Sequence, residues 1–126
     1  MKRPSLNSIL LASTDPERLR AWYVAALDPE ENTDVGGYRI LKFGGVYVLI
    51  DSRDDVADKN PEPGRVILNF DVDDARAVVA RLNDLGVSWL AELEDRDGGL
   101  FATAIDPDGN YVQVIQLSEE QRAGMA

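Results

Sequence analysis

Residues 66–116 read VILNFDVDDARAVVARLNDLGVSWLAELEDRDGGLFATAIDPDGNYVQVIQ, and the order of patterns within this stretch decides the fold. Val66–Val72 alternates apolar residues at period two, as a strand does. Asp73-Asp74 then offers a helix cap. Ala75, Val78, Val79, Leu82 and Leu85 recur at helical spacing, and Gly86 is a suitable stop. Val87–Ala91, Leu100–Ile105 and Tyr111–Gln116 follow as three more strands, so the order is strand, helix, strands.

The first half repeats the plan. Leu6–Ser13 (LNSILLAS) is strand-like, and Thr14-Asp15-Pro16-Glu17 carries a cap, a first-turn proline and early acidic charge. Leu19, Trp22, Tyr23 and Ala26 give one buried helix face, which assigns Trp22 and Tyr23 to the core. Asp28–Gly37 reads as turn. Tyr38–Phe43 and Val46–Asp51 read as strands joined by Gly44-Gly45. The charged, proline-bearing Ser52–Gly64 reads as a linker. The expected organisation is one domain over 1–126: a module at about 5–51, a linker at about 52–64, a second module at about 65–117 and a polar tail over 118–126.

Strand alternation divides each sheet into two faces. Val46, Val48 and Ile50, then Val66, Leu68 and Phe70, then Val112 and Val114 should meet the helices. The opposite faces carry Tyr47, Leu49 and Asp51; Ile67, Asn69 and Asp71; Tyr111, Gln113 and Ile115. That mixture suits a cavity lining, and a partly solvated sheet face is the alternative.

Composition removes much chemistry. The 126 residues include no cysteine and no histidine, so disulfides, thiol nucleophiles, histidine-based triads and imidazole metal sites are impossible. A base would have to be a carboxylate, a tyrosine or one of the lysines Lys2, Lys42 and Lys59. The net charge of −10 disfavours nucleic acid and tolerates a cationic small molecule. No apolar run approaches the roughly 18 residues that span a bilayer, so a cytoplasmic protein without membrane partners is expected.

The chain resembles the vicinal-oxygen-chelate superfamily of glyoxalases, bleomycin-resistance proteins and extradiol dioxygenases. Asp106-Pro107-Asp108-Gly109-Asn110 looks like its DPDGN motif, Val72-Asp73-Asp74 like its V-D-D element, and Ser13-Thr14-Asp15-Pro16 through Trp22-Tyr23 and Leu27 like its first helix. DPDGN itself is read as a structural turn, with Pro107 and Gly109 at suitable positions. The resemblance implies an α+β fold of two paired βαβββ modules forming a cupped mixed sheet with helices on the outer face. It also implies homodimers, with the modules pairing within or across chains.

Metal-dependent members of that superfamily hold a divalent ion with His, Glu and Gln. Carried over by position, the ligand sites fall at Ser8, Leu49, Ile67 and Gln113, which cannot grip a hard cation together. No metal and no cofactor are therefore expected. A displaced oxygen site from Asp51, Asn69, Asp71 and Gln113 is the alternative. The favoured function is metal-free binding of a small, aromatic or cationic molecule in the cup. Its expected ligand-binding residues are Ser8, Tyr47, Leu49, Ile67, Asn69, Trp89, Phe101, Tyr111 and Gln113, with Tyr38 a further stacking candidate. One alternative is an isomerase or lyase acting on a small carbonyl compound, with a carboxylate (Asp51 or Asp71) or tyrosine as base and Gln113 or Ser8 orienting substrate. Another is a protein-interaction module with a closed cup. No catalytic residue is assigned.

Overall fold

A computed structural model describes residues 2–125. The fold is α+β, built from two βαβββ units: one runs to Asp58 and the next begins at Lys59. The described residues contain no helix long and apolar enough to cross a membrane.

In the first unit, β1 (Ser8–Ser13) leads into α1 (Pro16–Leu27) and then β2 (Glu31–Val35), β3 (Tyr38–Phe43) and β4 (Val46–Ser52). The strands lie in the order β1-β4-β3-β2, with β1 parallel to β4 and the other pairs antiparallel. Asp15 caps α1 by accepting the Arg18 N–H at 3.3 Å, and Pro16 occupies the first turn, where a missing N–H costs nothing. Leu19, Tyr23 and Ala26 are fully buried on α1, which packs on β4 and β1, while Leu41, Val48 and Ile50 are buried from the sheet side. Burying a Leu or Ile side chain contributes about 1.5–3 kcal/mol, so these six residues form the unit's core. Trp22 is half-buried and meets the Tyr23 ring edge-on at 4.9 Å between centroids.

β2 corrects the sequence reading, since it lies inside the stretch expected to be turn. Glu31-Asn32-Thr33-Asp34-Val35 has no apolar alternation because every one of its residues is exposed. Its strand character comes from outside: the ladder to β3, a turn in which Gly36 and Gly37 take φ of 58° and 85°, and a clamp from α1. In that clamp Arg20 reaches Asp34 at 3.0 Å and Glu17 at 2.9 Å, and Arg39 of β3 also bonds Glu17.

The second unit contains β5 (Leu68–Asp71), α2 (Ala75–Asp84), β6 (Ser88–Arg96), β7 (Gly99–Ile105), β8 (Tyr111–Gln116) and a short α3 (Glu119–Ala123). Its strand order, β5-β8-β7-β6, repeats that of the first unit, with β5 parallel to β8. Asp74 caps α2 by accepting the Ala77 N–H at 3.1 Å, and Gln116 Oε1 takes the Ala75 N–H at 2.8 Å. Ala75 and Leu82 are fully buried on α2, as are Ala104 and Val114 on the sheet it packs against, with Ala102 and Val112 nearly so.

Leu85, expected in that core, is 46% exposed. It is the helix C-cap, and the chain turns away at once through Gly86, whose φ is 73°. β5 is shorter than expected: its ladder opens at Leu68 opposite Val112, leaving Val66 exposed. β6 is longer, running to Arg96 through two register shifts, and bulges let a strand continue past a mismatch.

Candidate functional site

Each sheet has one face under its helix and one open face. Val48 and Ile50, Leu68, Val112 and Val114 are buried, as alternation predicts, while Tyr47, Leu49, Asp51, Tyr111, Gln113 and Ile115 are half-exposed. Register partners stand side by side, so the open faces can be read as rows across the strands.

On the first sheet one row runs Ser8, Tyr47, Lys42, Glu31, and the next runs Leu10, Leu49, Ile40, Thr33. The structure therefore brings Ser8, Tyr47 and Leu49 onto one surface, where Leu10 and Tyr38 are also exposed.

On the second sheet the central row is Asn69, Gln113, Thr103, Ala91. To one side stand Tyr111, Ile105 and Ser88, with Ile67 just ahead of β5 and 40% exposed. To the other side run Asp71, Ile115, Phe101 and Glu94. Two accessible amides, Asn69 and Gln113, are thus flanked by apolar and aromatic side chains, the usual chemistry of a small-molecule site, while Thr103 in the same row is buried at 6% exposure. Ile67, Asn69, Phe101, Tyr111 and Gln113 all belong to this surface.

Trp89 stands apart. It pairs with Ala104, whose side is the helix side, and its indole N–H donates to Asn83 of α2 at 2.8 Å. The register shift after Trp89 obscures its parity in the sequence.

Both ends of the second open face are bounded. At one end a Cβ at Gly64 would stand 3.9 Å from the Tyr111 ring, and the segment before it is tied to the β7–β8 turn: the Asn60 N–H donates to Asp108 O at 2.8 Å and Asn60 Nδ2 to Asn110 Oδ1 at 2.9 Å. The DPDGN turn is held by Asp106, 3% exposed, whose Oδ1 accepts the N–H groups of Asp108 and Asn110 and whose Oδ2 accepts Asn110 Nδ2, all at 2.9 Å.

At the other end sits α3. Arg122 forks onto Asp71 with bonds of 2.6 and 2.9 Å, and Gln121 Nε2 donates to the Arg96 carbonyl at 2.8 Å. Sequence reading found no role for this tail; the signal available was its capping box, Ser118 with Gln121. The Arg122 hydrogen bonds hold the Asp71 carboxyl below the usual range; burial opposes them, and the Arg122 charge adds a smaller lowering. Asp71 is thus paired with Arg122 in this arrangement, at a half-exposed position. Nearby, the Arg96 guanidinium lies 5.2 Å from the Phe101 ring centroid and also pairs with Glu94.

The four positions implied for metal ligands, Ser8, Leu49, Ile67 and Gln113, offer one hydroxyl, one amide and two hydrocarbon chains, which is not a donor set for a divalent ion. Among the described residues no three His, Cys, Asp or Glu side chains gather as a metal cluster would require. An open recess beside Asp51 is lined by Asp51–Asp55, where Arg53 binds Asp55 at 2.8 Å.

Comparison with known proteins gives one family. The model of a glyoxalase-like domain matches residues 8–115. No curated protein matches the chain. Among solved structures, the chain is similar to the oxidase ChaP-H1 (TM-score 0.77, 17% identity, 92% of this chain and 98% of that one). It is similar to TnmS3, an antibiotic-binding protein from Streptomyces sp. CB03234 (TM-score 0.71, 22% identity, 94% and 99%). It is also similar to the fosfomycin resistance protein FosX from Mesorhizobium loti (TM-score 0.72, 17% identity, 98% and 99%). At these identities the likeness concerns the fold.

Proposed function

The chain belongs to the glyoxalase-like domain family of the vicinal-oxygen-chelate superfamily, and on that premise we propose that it is a metal-free binding protein for a small aromatic or cationic molecule, acting as a homodimer. The carrying observation is the open face of the second sheet, where Asn69, Gln113 and Thr103 form a polar row between Tyr111 and Phe101. A flat ligand stacks on the aromatic rings while the Asn69 and Gln113 amides fix its orientation. The net charge of −10 favours a cation. That the similar TnmS3 is an antibiotic-binding protein supports the same reading.

The residues at the superfamily's ligand positions support metal independence. Enediolate and ring-cleaving chemistry both depend on a Lewis acid, and Ser8, Leu49, Ile67 and Gln113 provide no means of holding one.

Thermal-shift titration tests the reading, with bleomycin and methylglyoxal each added with and without zinc or manganese. Stabilisation by bleomycin in chelator, weakened at least fivefold in affinity by Tyr111→Ala with the fold intact, is the expected result. Stabilisation by metal alone, or affinity unmoved by Tyr111→Ala, refutes it. Sedimentation should return twice the 13.9 kDa chain mass.

A further inference from the structure

The short α3 is unusual in how it is attached. None of its residues is buried, and Met125 just beyond it is 74% exposed. A five-residue helix does not persist in water by its own hydrogen bonds, because nucleation is costly. Its capping box satisfies only its own first turn: Gln121 Oε1 takes the Ser118 N–H at 2.9 Å, and Ser118 Oγ takes the Gln121 N–H at 3.1 Å. Attachment to the sheet therefore rests on polar groups, the Arg122–Asp71 fork and the Gln121 bond to the Arg96 carbonyl.

The seat is shaped for it. Gly99 opens β7 on the same face as Phe101 and is buried, and a Cβ there would overlap Gln121 Oε1 and lie 3.1 Å from the Phe101 ring. α3 thus lies at the Gly99 end of the open face, beside the row Asp71, Ile115, Phe101. Two strand spacings, about 10 Å, separate Asp71 from Phe101 with Ile115 between them. That is an acid at one end, an aromatic ring at the other and an apolar floor, and the molecule's own guanidinium sits on the acid.

We infer that Asp71 is the cation-recognition residue of the open face, and that Arg122 on α3 is a built-in stand-in for the ligand's cation, holding the helix over that end until a flat aromatic amidinium or guanidinium displaces it. This rests on the reading that the open face of the second sheet binds ligand. The fork suits the argument chemically, since a carboxylate takes an amidinium through the same two parallel N–H bonds that Arg122 now supplies. Because the pair is half-exposed, it is weak enough to be exchanged.

The test uses benzamidine as probe, titrated by calorimetry at low ionic strength into wild type, Arg122→Ala, Arg122→Lys and Asp71→Asn. With the stand-in removed, the competent state needs no opening, so Arg122→Ala should bind about fivefold tighter than wild type. Arg122→Lys should fall between them, and Asp71→Asn should not bind. Amide exchange at Gln121 and Arg122 should quicken in ligand-free Arg122→Ala and in wild type saturated with benzamidine.

Equal affinities in wild type and Arg122→Ala, binding retained by Asp71→Asn, or α3 exchange unchanged by benzamidine would each overturn the inference. Failure here is distinguishable from failure of the underlying reading. If bleomycin binding depends on Tyr111 while benzamidine ignores Asp71, the face binds ligand and the displaced-arginine mechanism is wrong. If neither probe depends on either residue, both are wrong.

Discussion

Replacing Asp106 by alanine should remove a large part of the stability of the β7–β8 turn. The carboxylate is 3% exposed and receives three hydrogen bonds at 2.9 Å, two from backbone N–H groups and one from the Asn110 amide. Alanine leaves three donors without their acceptor, and each buried orphan costs about 1–3 kcal/mol. Water recovers part of this loss at a turn, which brings the expected total to about 3–5 kcal/mol.

Small domains are stable by only about 5–15 kcal/mol, so the loss would be a large fraction. With a urea slope near 2 kcal/mol/M, the unfolding midpoint should fall by about 2 M. Asp106→Asn sharpens the argument. It keeps an oxygen for the two backbone donors but sets an NH2 against the Asn110 NH2. Asn110 cannot turn its amide over without losing the bond its Oδ1 accepts from Asn60 at 2.9 Å. The asparagine variant should therefore fall about midway between wild type and alanine. A midpoint shift below about 0.5 M for Asp106→Ala, or an asparagine variant as stable as wild type, would refute the claim that this carboxylate organises the turn.

Three further outcomes follow from burial and pairing. Leu82→Ala should cost about 2–5 kcal/mol in chemical denaturation, whereas Leu85→Ala, at a site 46% exposed, should cost well under half as much. Trp89→Phe should lower stability by about 1 kcal/mol through loss of the 2.8 Å bond to Asn83 and leave ligand affinity unchanged; a weakened affinity would return Trp89 to the binding face. For Asp71, a carboxyl held below its ordinary value lends stability that is complete above the unfolded value of 3.8 and disappears as pH falls through the lower folded one. Its carboxyl carbon should accordingly titrate below pH 3.8 by NMR in wild type and move back toward that value in Arg122→Ala.

Much of the fold was legible because helix caps and strand alternation are local. Asp15 and Asp74 cap where their sequence context implied, and the buried parity of Val48, Ile50, Val112 and Val114 followed from period two alone. β2 was hidden for an equally physical reason. An edge strand exposed on both faces carries no hydrophobic signature, and the Arg20–Asp34 contact that steadies it joins residues on two separate elements.

The candidate site was legible in its strands and not at its margins. Tyr111, Gln113, Asn69 and Phe101 share one face because register follows alternation. Trp89 was assigned without the bulge that follows it, and Arg122 could be joined to Asp71 only by a contact spanning 51 positions of sequence.

The two sheets share one ladder plan, with Leu10, Leu49 and Ile40 occupying the rungs that Asn69, Gln113 and Thr103 occupy in the other half. Side chains on those rungs point away from the helix-side core, so scaffold and chemistry are separately editable. Leu10→Asn and Leu49→Gln would change side chains that are exposed or half-exposed, leaving the helix-side core residues untouched. The repeat thereby offers two interchangeable sockets on a common chassis, of which one is presently greasy and the other wired for hydrogen bonding.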